Sequence, residues 1–140
     1  MYKITQLMKE DHKNMDKVFS EFKKSKGNAK KLFLDFRKRL NEHISLEEGI
    51  LDLFLEKKEK EGEHLASIIR AEHKEVRKLL DEMHEKISKK DSTDGLERKL
   101  SIVMLANEKS ETGVIYPWVD QALNEKEKNK IIEKINARVS

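Results

Sequence analysis

Six polar residues stand where a helical protein would ordinarily place leucine or phenylalanine: His12, His43, Glu47, His73, Asn107 and Glu111. Imidazole nitrogen and carboxylate oxygen together suit iron, manganese or zinc, and a chain without cysteine offers no thiolate to favour a softer metal. His43 and Glu47 are four apart, which puts both side chains on one helix face a turn from each other. One ion can take the imidazole, and the carboxylate can reach the same ion or its neighbour. Glu47 and Glu111 come from different segments and can each bridge a pair of ions, with histidines in terminal positions. Left unpaired in a core, each such group costs on the order of 1–3 kcal/mol, and more if charged. A typical domain is stable by only about 5–15 kcal/mol, so five of them demand compensation that a bound cation supplies. Asp11, Glu48 and Glu72 are near enough in sequence to orient the imidazoles. Taken singly, each histidine reads more simply as a satisfied core imidazole, and each glutamate as the partner of a buried base. No Lys or Arg falls on the same stripes, however; Arg77, beside Val76, comes closest.

What places these residues together is helical periodicity. Four segments carry inward stripes spaced alternately three and four apart. The first is Ile4, Met8, His12, Met15, Phe19 and Phe22; the second runs from Leu32 or Phe33 through Phe36, Leu40, His43, Glu47 and Ile50 to Phe54. The third is Leu65, Ile69, His73, Val76, Leu80, Met83 and Ile87; the fourth is Leu96, Leu100, Val103, Asn107, Glu111, Val114 and Trp118. Each is apolar at both ends and polar in the middle. Turns are expected at Gly27-Asn28, near Gly62 and at Asp91–Gly95, and Pro117 is expected to end or bend the fourth helix. A short fifth helix capped by Asn124 should use Ile131, Ile132, Ile135 and Val139 against the bundle. Short turns make neighbouring helices antiparallel. Counted from the turns, the polar positions then agree to within about 6 Å, near one helical turn. The fold class expected is all-α, an up-down-up-down four-helix bundle with a short C-terminal helix, forming one domain over residues 1–140.

The remaining residues are blander. His64 should be solvated, and His84 lies eleven residues beyond His73, about 16 Å along the axis, too far to share its ion. Met8, Met15, Met83 and Met104 read as core fillers. Tyr116 and Trp118 read as packing at the bundle end, with hydrogen bonding or redox work near the site as the alternative. Charged residues are 41% of the chain and the mean hydropathy is -0.81, yet the strict helical spacing argues against disorder. The net charge is +3, from 30 basic and 27 acidic residues, so nothing recommends nucleic acid as a partner. The lysines at 23, 24, 26, 30 and 31 read as a solvated turn rather than a phosphate patch. No apolar run approaches the roughly 20 residues of a membrane span, and the N-terminus has no signal-peptide core. A cytoplasmic protein is the expectation.

The order Asp11-His12, His43-Ile-Ser-Leu-Glu47-Glu48, Glu72-His73, Glu111 and Tyr116-Pro117 resembles that of a hemerythrin-type (HHE cation-binding) domain, over about residues 4–118. The resemblance implies a di-iron centre with terminal histidines and two bridging carboxylates. Carried over by position, His12, His43, Glu47, His73 and Glu111 match. Asn107 stands where the family has histidine, and a neutral amide oxygen is a much weaker ligand than imidazole. Helix three also offers this level one histidine rather than a pair, since Ile69 and Arg77 flank His73 one turn to either side. One ion position is therefore complete and the other ligand-poor. The family's roles are oxygen carriage or sensing, nitric-oxide response, iron handling and repair of iron centres. A reversible binder or sensor of O2, NO or a similar oxidant is the leading expectation, with a separate protein needed to read out the signal. An iron-handling or oxidative and nitrosative stress protein with a labile or mononuclear site is the alternative, and a metal-poor helical interaction module is the third. Enzymatic turnover is left open. Zinc or manganese would fit the same ligands.

Overall fold

The computed structural model describes residues 4–25, 29–58 and 60–139. Its helices are α1 (Ile4–Lys24), α2 (Ala29–Lys58), α3 (Lys60–Ser88), α4 (Asp94–Ser110), α5 (Tyr116–Ala122) and α6 (Glu125–Val139). Between α4 and α5 the chain makes a π-helical turn, Glu111–Ile115, so that α4, this turn and α5 form one continuous rod. The result is the all-α bundle that the four stripes predict, with α6 packed across α2 and α1. No helix is long and apolar enough to cross a membrane among the described residues.

The stripes sort into two apolar clusters. One joins Ile4, Met8, Ile50, Leu51, Phe54, Ile69, Ile115, Tyr116, Val119 and Ile131. The other joins Met15, Phe19, Phe22, Phe33, Phe36, Leu40, Val76, Leu80, Met83 and Leu100. The second contains stacked rings, with Phe19 and Phe36 centroids 4.8 Å apart. In all four stripes, the polar positions fall between the residues of one cluster and those of the other.

Two expectations about the punctuation change, and a third lies where it is not tested. Gly27-Asn28 lies outside the described residues. Gly62 does not lie between helices: α3 already begins at Lys60. Its missing side chain instead makes room for the Phe54 ring, since a Cβ there would meet Phe54 Cε1 at 2.6 Å. Pro117 does not end the fourth helix. It sits directly after the π turn, at the start of α5, where the change of pitch accommodates a residue that has no N–H to donate. That turn shifts the inward register by one residue. Val114 is therefore 48% exposed, whereas Ile115 and Tyr116 are fully buried. Trp118 packs edge-on against Phe54, 4.9 Å between centroids.

The C-terminal expectation holds where it can be seen. Asn124 Oδ1 accepts from Glu127 N at 2.9 Å, and Glu127 Oε1 accepts in return from Asn124 N at 3.2 Å, a reciprocal cap. Ile131 is buried and Ile132 packs beside it; the side chains of Ile135 and Val139 lie outside the described residues.

A cap built from distant sequence closes the bundle end. Asp120 Oδ1 accepts from Ile4 N at 2.7 Å, and Oδ2 accepts from Thr5 N at 3.2 Å and Thr5 Oγ1 at 2.7 Å. One carboxylate thus satisfies two of the free N–H groups opening α1 and complements its dipole. Asp120→Ala is expected to lower the unfolding free energy by about 1–3 kcal/mol, read by chemical denaturation, because two donors lose a charged acceptor.

Candidate metal centre

His12 comes from α1, His43 and Glu47 from α2, His73 from α3, Asn107 from the end of α4 and Glu111 from the π turn. All six are buried, as the stripes require. The structure brings five of them into two groups of potential ligand atoms within 4.8 Å of one another: His12, His43 and Glu47, then Glu47, His73 and Glu111. Glu47 belongs to both.

Its two oxygens serve different sides. Oε1 is in contact with His43 Nε2, while Oε2 lies 3.5 Å from His73 Nε2. His43 Nε2 is 3.2 Å from His12 Nε2, and the two rings meet edge-on at 4.4 Å. On the other side, His73 Nε2 is 3.7 Å from Glu111 Oε1. Three imidazole Nε2 atoms therefore face a carboxylate that runs between them.

The opposite ring nitrogens are held from behind. His43 Nδ1 bonds to Asp11 Oδ2, and His73 Nδ1 bonds to Glu48 Oε1 at 2.8 Å. A carboxylate only accepts, so each Nδ1 carries the proton and each Nε2 is left to the site. Glu48 is fixed in turn by Arg70, whose Nε is 3.2 Å from Glu48 Oε2 and whose Nη2 is 2.6 Å from Asp52. Asn107 Nδ2 donates to Glu72 Oε1 at 3.2 Å. The three acids expected to orient the site do so, but Glu72 orients the asparagine rather than a histidine.

Charge follows from this geometry. Burial opposes a proton on His43, yet Glu47 and Asp11 outweigh it and raise its pKa to about 9. Burial would push the Glu47 carboxyl up, but His43, then His73, holds it down near 2. His73 is raised despite its burial, by Glu47 and Glu48. The Tyr116 phenol is pushed well above its ordinary value by burial and by Glu47.

The residues fit a cation. Both Glu47 oxygens, His73 Nε2 and Glu111 Oε1 are sealed from water without a hydrogen bond of acceptable geometry. Buried acceptors in that condition cost on the order of 1–3 kcal/mol each, and an ion between them removes the cost. The donor set is nitrogen and oxygen only, which suits iron, manganese or zinc.

With this arrangement established, sequence comparison decides the family. The profile of the Hemerythrin HHE cation binding domain matches residues 3–119. The chain belongs to that family. Neither the curated proteins nor the solved structures give a significant match. Membership in a family of cation-binding domains agrees with the two His/Glu groups, each able to hold a metal ion.

The remaining candidates stay out of this hemerythrin-like layer. Arg77 and His64 are exposed, so no guanidinium enters the site. His84 stacks on Phe33, 6.2 Å between centroids, at the rim of the second cluster. Sequence reasoning missed the π turn and the hydrogen bond it creates, from Tyr116 Oη to Glu111 Oε2 at 2.9 Å. The available signal was Pro117, which would clash with the carbonyl four residues before it in a regular helix.

Proposed function

We propose that this hemerythrin-like domain holds a carboxylate-bridged pair of non-haem iron ions and uses them to bind or sense O2, NO or a similar small oxidant. The observation that carries the reading is Glu47, one buried carboxylate shared by two ligand groups. His12, His43 and Glu47 would hold one ion; Glu47, His73 and Glu111 would hold the other, with Asn107 beside it. Ferrous ions held there would supply reversible electron donation to a diatomic ligand. The chain's own part is to fix tautomers through Asp11 and Glu48, and to exclude bulk water with the apolar clusters on either side.

A second reading has its own support. Asn107 occupies the position where the family resemblance expects imidazole, and its amide nitrogen is turned to Glu72. Only a weak, neutral oxygen donor remains there, so the second ion is labile and the protein serves iron handling or stress defence.

One experiment separates these readings: anaerobic reconstitution with Fe2+ and elemental analysis, on the wild-type chain and on Asn107→His. Two irons per wild-type chain, with visible absorption that appears in oxygen and reverses on its removal, would support the binder. One iron rising to two in the variant would support the labile second site. No retained metal in either would overturn both.

A further inference from the structure

The outer seam between α2 and α3 carries ion pairs in one fixed register. α3 begins two positions after α2 ends, so the helices run antiparallel and a step forward on one faces a step back on the other. Arg37 pairs with Asp81. Eleven residues further along α2 and eleven back along α3, Glu48 meets Arg70 at 3.2 Å, and Arg70 also reaches Asp52 at 2.6 Å. Between these bridges the same register sets Asn41 opposite Arg77, one turn on from Arg37 and one turn back from Asp81. A carboxylate at position 41 would complete the ladder. The neutral amide leaves one rung without its negative charge.

That rung is hollow. Arg37, Asn41, Arg77, Leu80 and Asp81 line a cavity of about 240 Å3. Leu80 is its buried apolar wall, and Arg37 and Asn41 are half-buried. Among the described residues Arg77 forms no ion pair and Asn41 no side-chain hydrogen bond. Two guanidinium groups against one carboxylate leave the lining with a charge of +1, and like charges around one cavity repel unless an anion comes between them. Arg37 commits Nη2 to Asp81 and keeps its other donors; Arg77 commits none. A planar guanidinium fork serves two oxygens of one phosphate at once, which a halide cannot exploit. At about 30 Å3 per water, the space takes a phosphate group with several waters. A nucleoside attached to it would project into solvent.

We infer that the gap at Asn41 and Arg77 is a binding site for a phosphate-type oxyanion, held by the two guanidinium groups with the Asn41 amide donating. The ligand takes the place of the missing acid in the ladder. Free phosphate and the phosphoryl group of a small metabolite share this chemistry. The site does not rest on the metal centre, although Arg77 lies one turn from His73.

The test is a titration of the full chain with inorganic phosphate at constant ionic strength, as purified and again after chelation. It follows the 15N signals of the arginine Nε–H and asparagine amide groups. Saturable shifts at Arg37, Arg77 and Asn41 are expected in both preparations. Arg77→Gln should weaken binding by about tenfold or more, because a charged donor is lost. Asn41→Asp should abolish the response, since its carboxylate takes Arg77. Arg39→Gln removes an exposed guanidinium two residues from Arg37, and should change the affinity by less than about twofold because solvent and salt screen it. Shifts that grow without saturating, that vanish on chelation, that survive Asn41→Asp, or that weaken equally in Arg39→Gln and Arg77→Gln would overturn the assignment. Titration with AMP separates the two sources. Tighter binding than phosphate at the same three residues would assign the site to a phosphorylated metabolite, and weaker binding would assign it to the free ion.

Discussion

Glu47→Gln is expected to abolish ion binding at both positions, whereas His12→Ala and His73→Ala should each cost one. The argument is geometric. Glu47 is the only residue common to the two ligand groups, and each of its oxygens faces a different histidine side. The amide is nearly isosteric with the carboxylate, but it removes the negative charge and offers one oxygen in place of two. Tight zinc-type sites draw about 10–16 kcal/mol from about four ligands, so losing one costs about 2.5–4 kcal/mol, or on the order of 10²–10³-fold in affinity. Glu47→Gln imposes that loss on both ions at once and also removes the charge that holds them together. Metal per chain after gel filtration is the readout. A variant that retains two ions would show that the ions sit elsewhere.

The second large effect is a pH dependence that runs in opposite directions with and without metal. In the metal-free protein the His43 pKa stands near 9, above its unfolded value of 6.5, and that of Glu47 near 2, below its unfolded value of 4.5. A raised histidine stabilises the fold fully below its unfolded pKa and loses that contribution as pH rises through its folded pKa. A lowered carboxyl contributes above its unfolded pKa and loses it as pH falls through the folded one. The pair therefore supports the metal-free fold best between roughly pH 4.5 and 6.5. Above that its support declines, by at most about 1.4 kcal/mol per pH unit up to about pH 9. An ion needs the Nε2 lone pair that the proton occupies, so its uptake expels a proton and strengthens with pH over the same window. Melting temperatures measured with and without Mn2+ are expected to diverge steadily from pH 6.5 to 9. Parallel curves would refute the coupling, as would metal uptake at pH 7 without proton release.

Much of this was legible in the sequence because buried helix faces repeat on a fixed period. His12, His43, Glu47, His73, Asn107 and Glu111 were each located by interrupting an apolar stripe, and short turns set their common level. Asp11 and Glu48 were legible too, as acids beside histidines, although which imidazole each would hold depended on side-chain directions that spacing does not give. The π turn escaped because periodicity assumes a constant pitch; one extra residue after Glu111 moved Val114 outward and brought Ile115 and Tyr116 in. Gly62 misled for a related reason. Glycine marks a turn in most helical sequences, but here it lies within α3 and makes room for the Phe54 ring. The Asp120 cap was invisible because nothing local links residue 120 to residues 4 and 5.

That long-range cap also bears on the order in which the molecule is assembled as it leaves the ribosome. The cluster around Phe19, Phe22, Phe33 and Phe36 is made largely from one helical hairpin near the N-terminus, so it can condense while the rest of the chain is still being made. The cluster at the other end needs Ile4 and Met8 to meet Ile115, Val119 and Ile131, and the cap joins residues 116 apart in sequence. Closing that loop waits for almost the whole chain, and Glu111 and Tyr116 arrive with it. The His12, His43 and Glu47 group is complete by the end of α2, whereas the His73 group is not complete until residue 111 has emerged. Synthesis itself therefore completes the His12, His43 and Glu47 group before the group that includes His73 and Glu111.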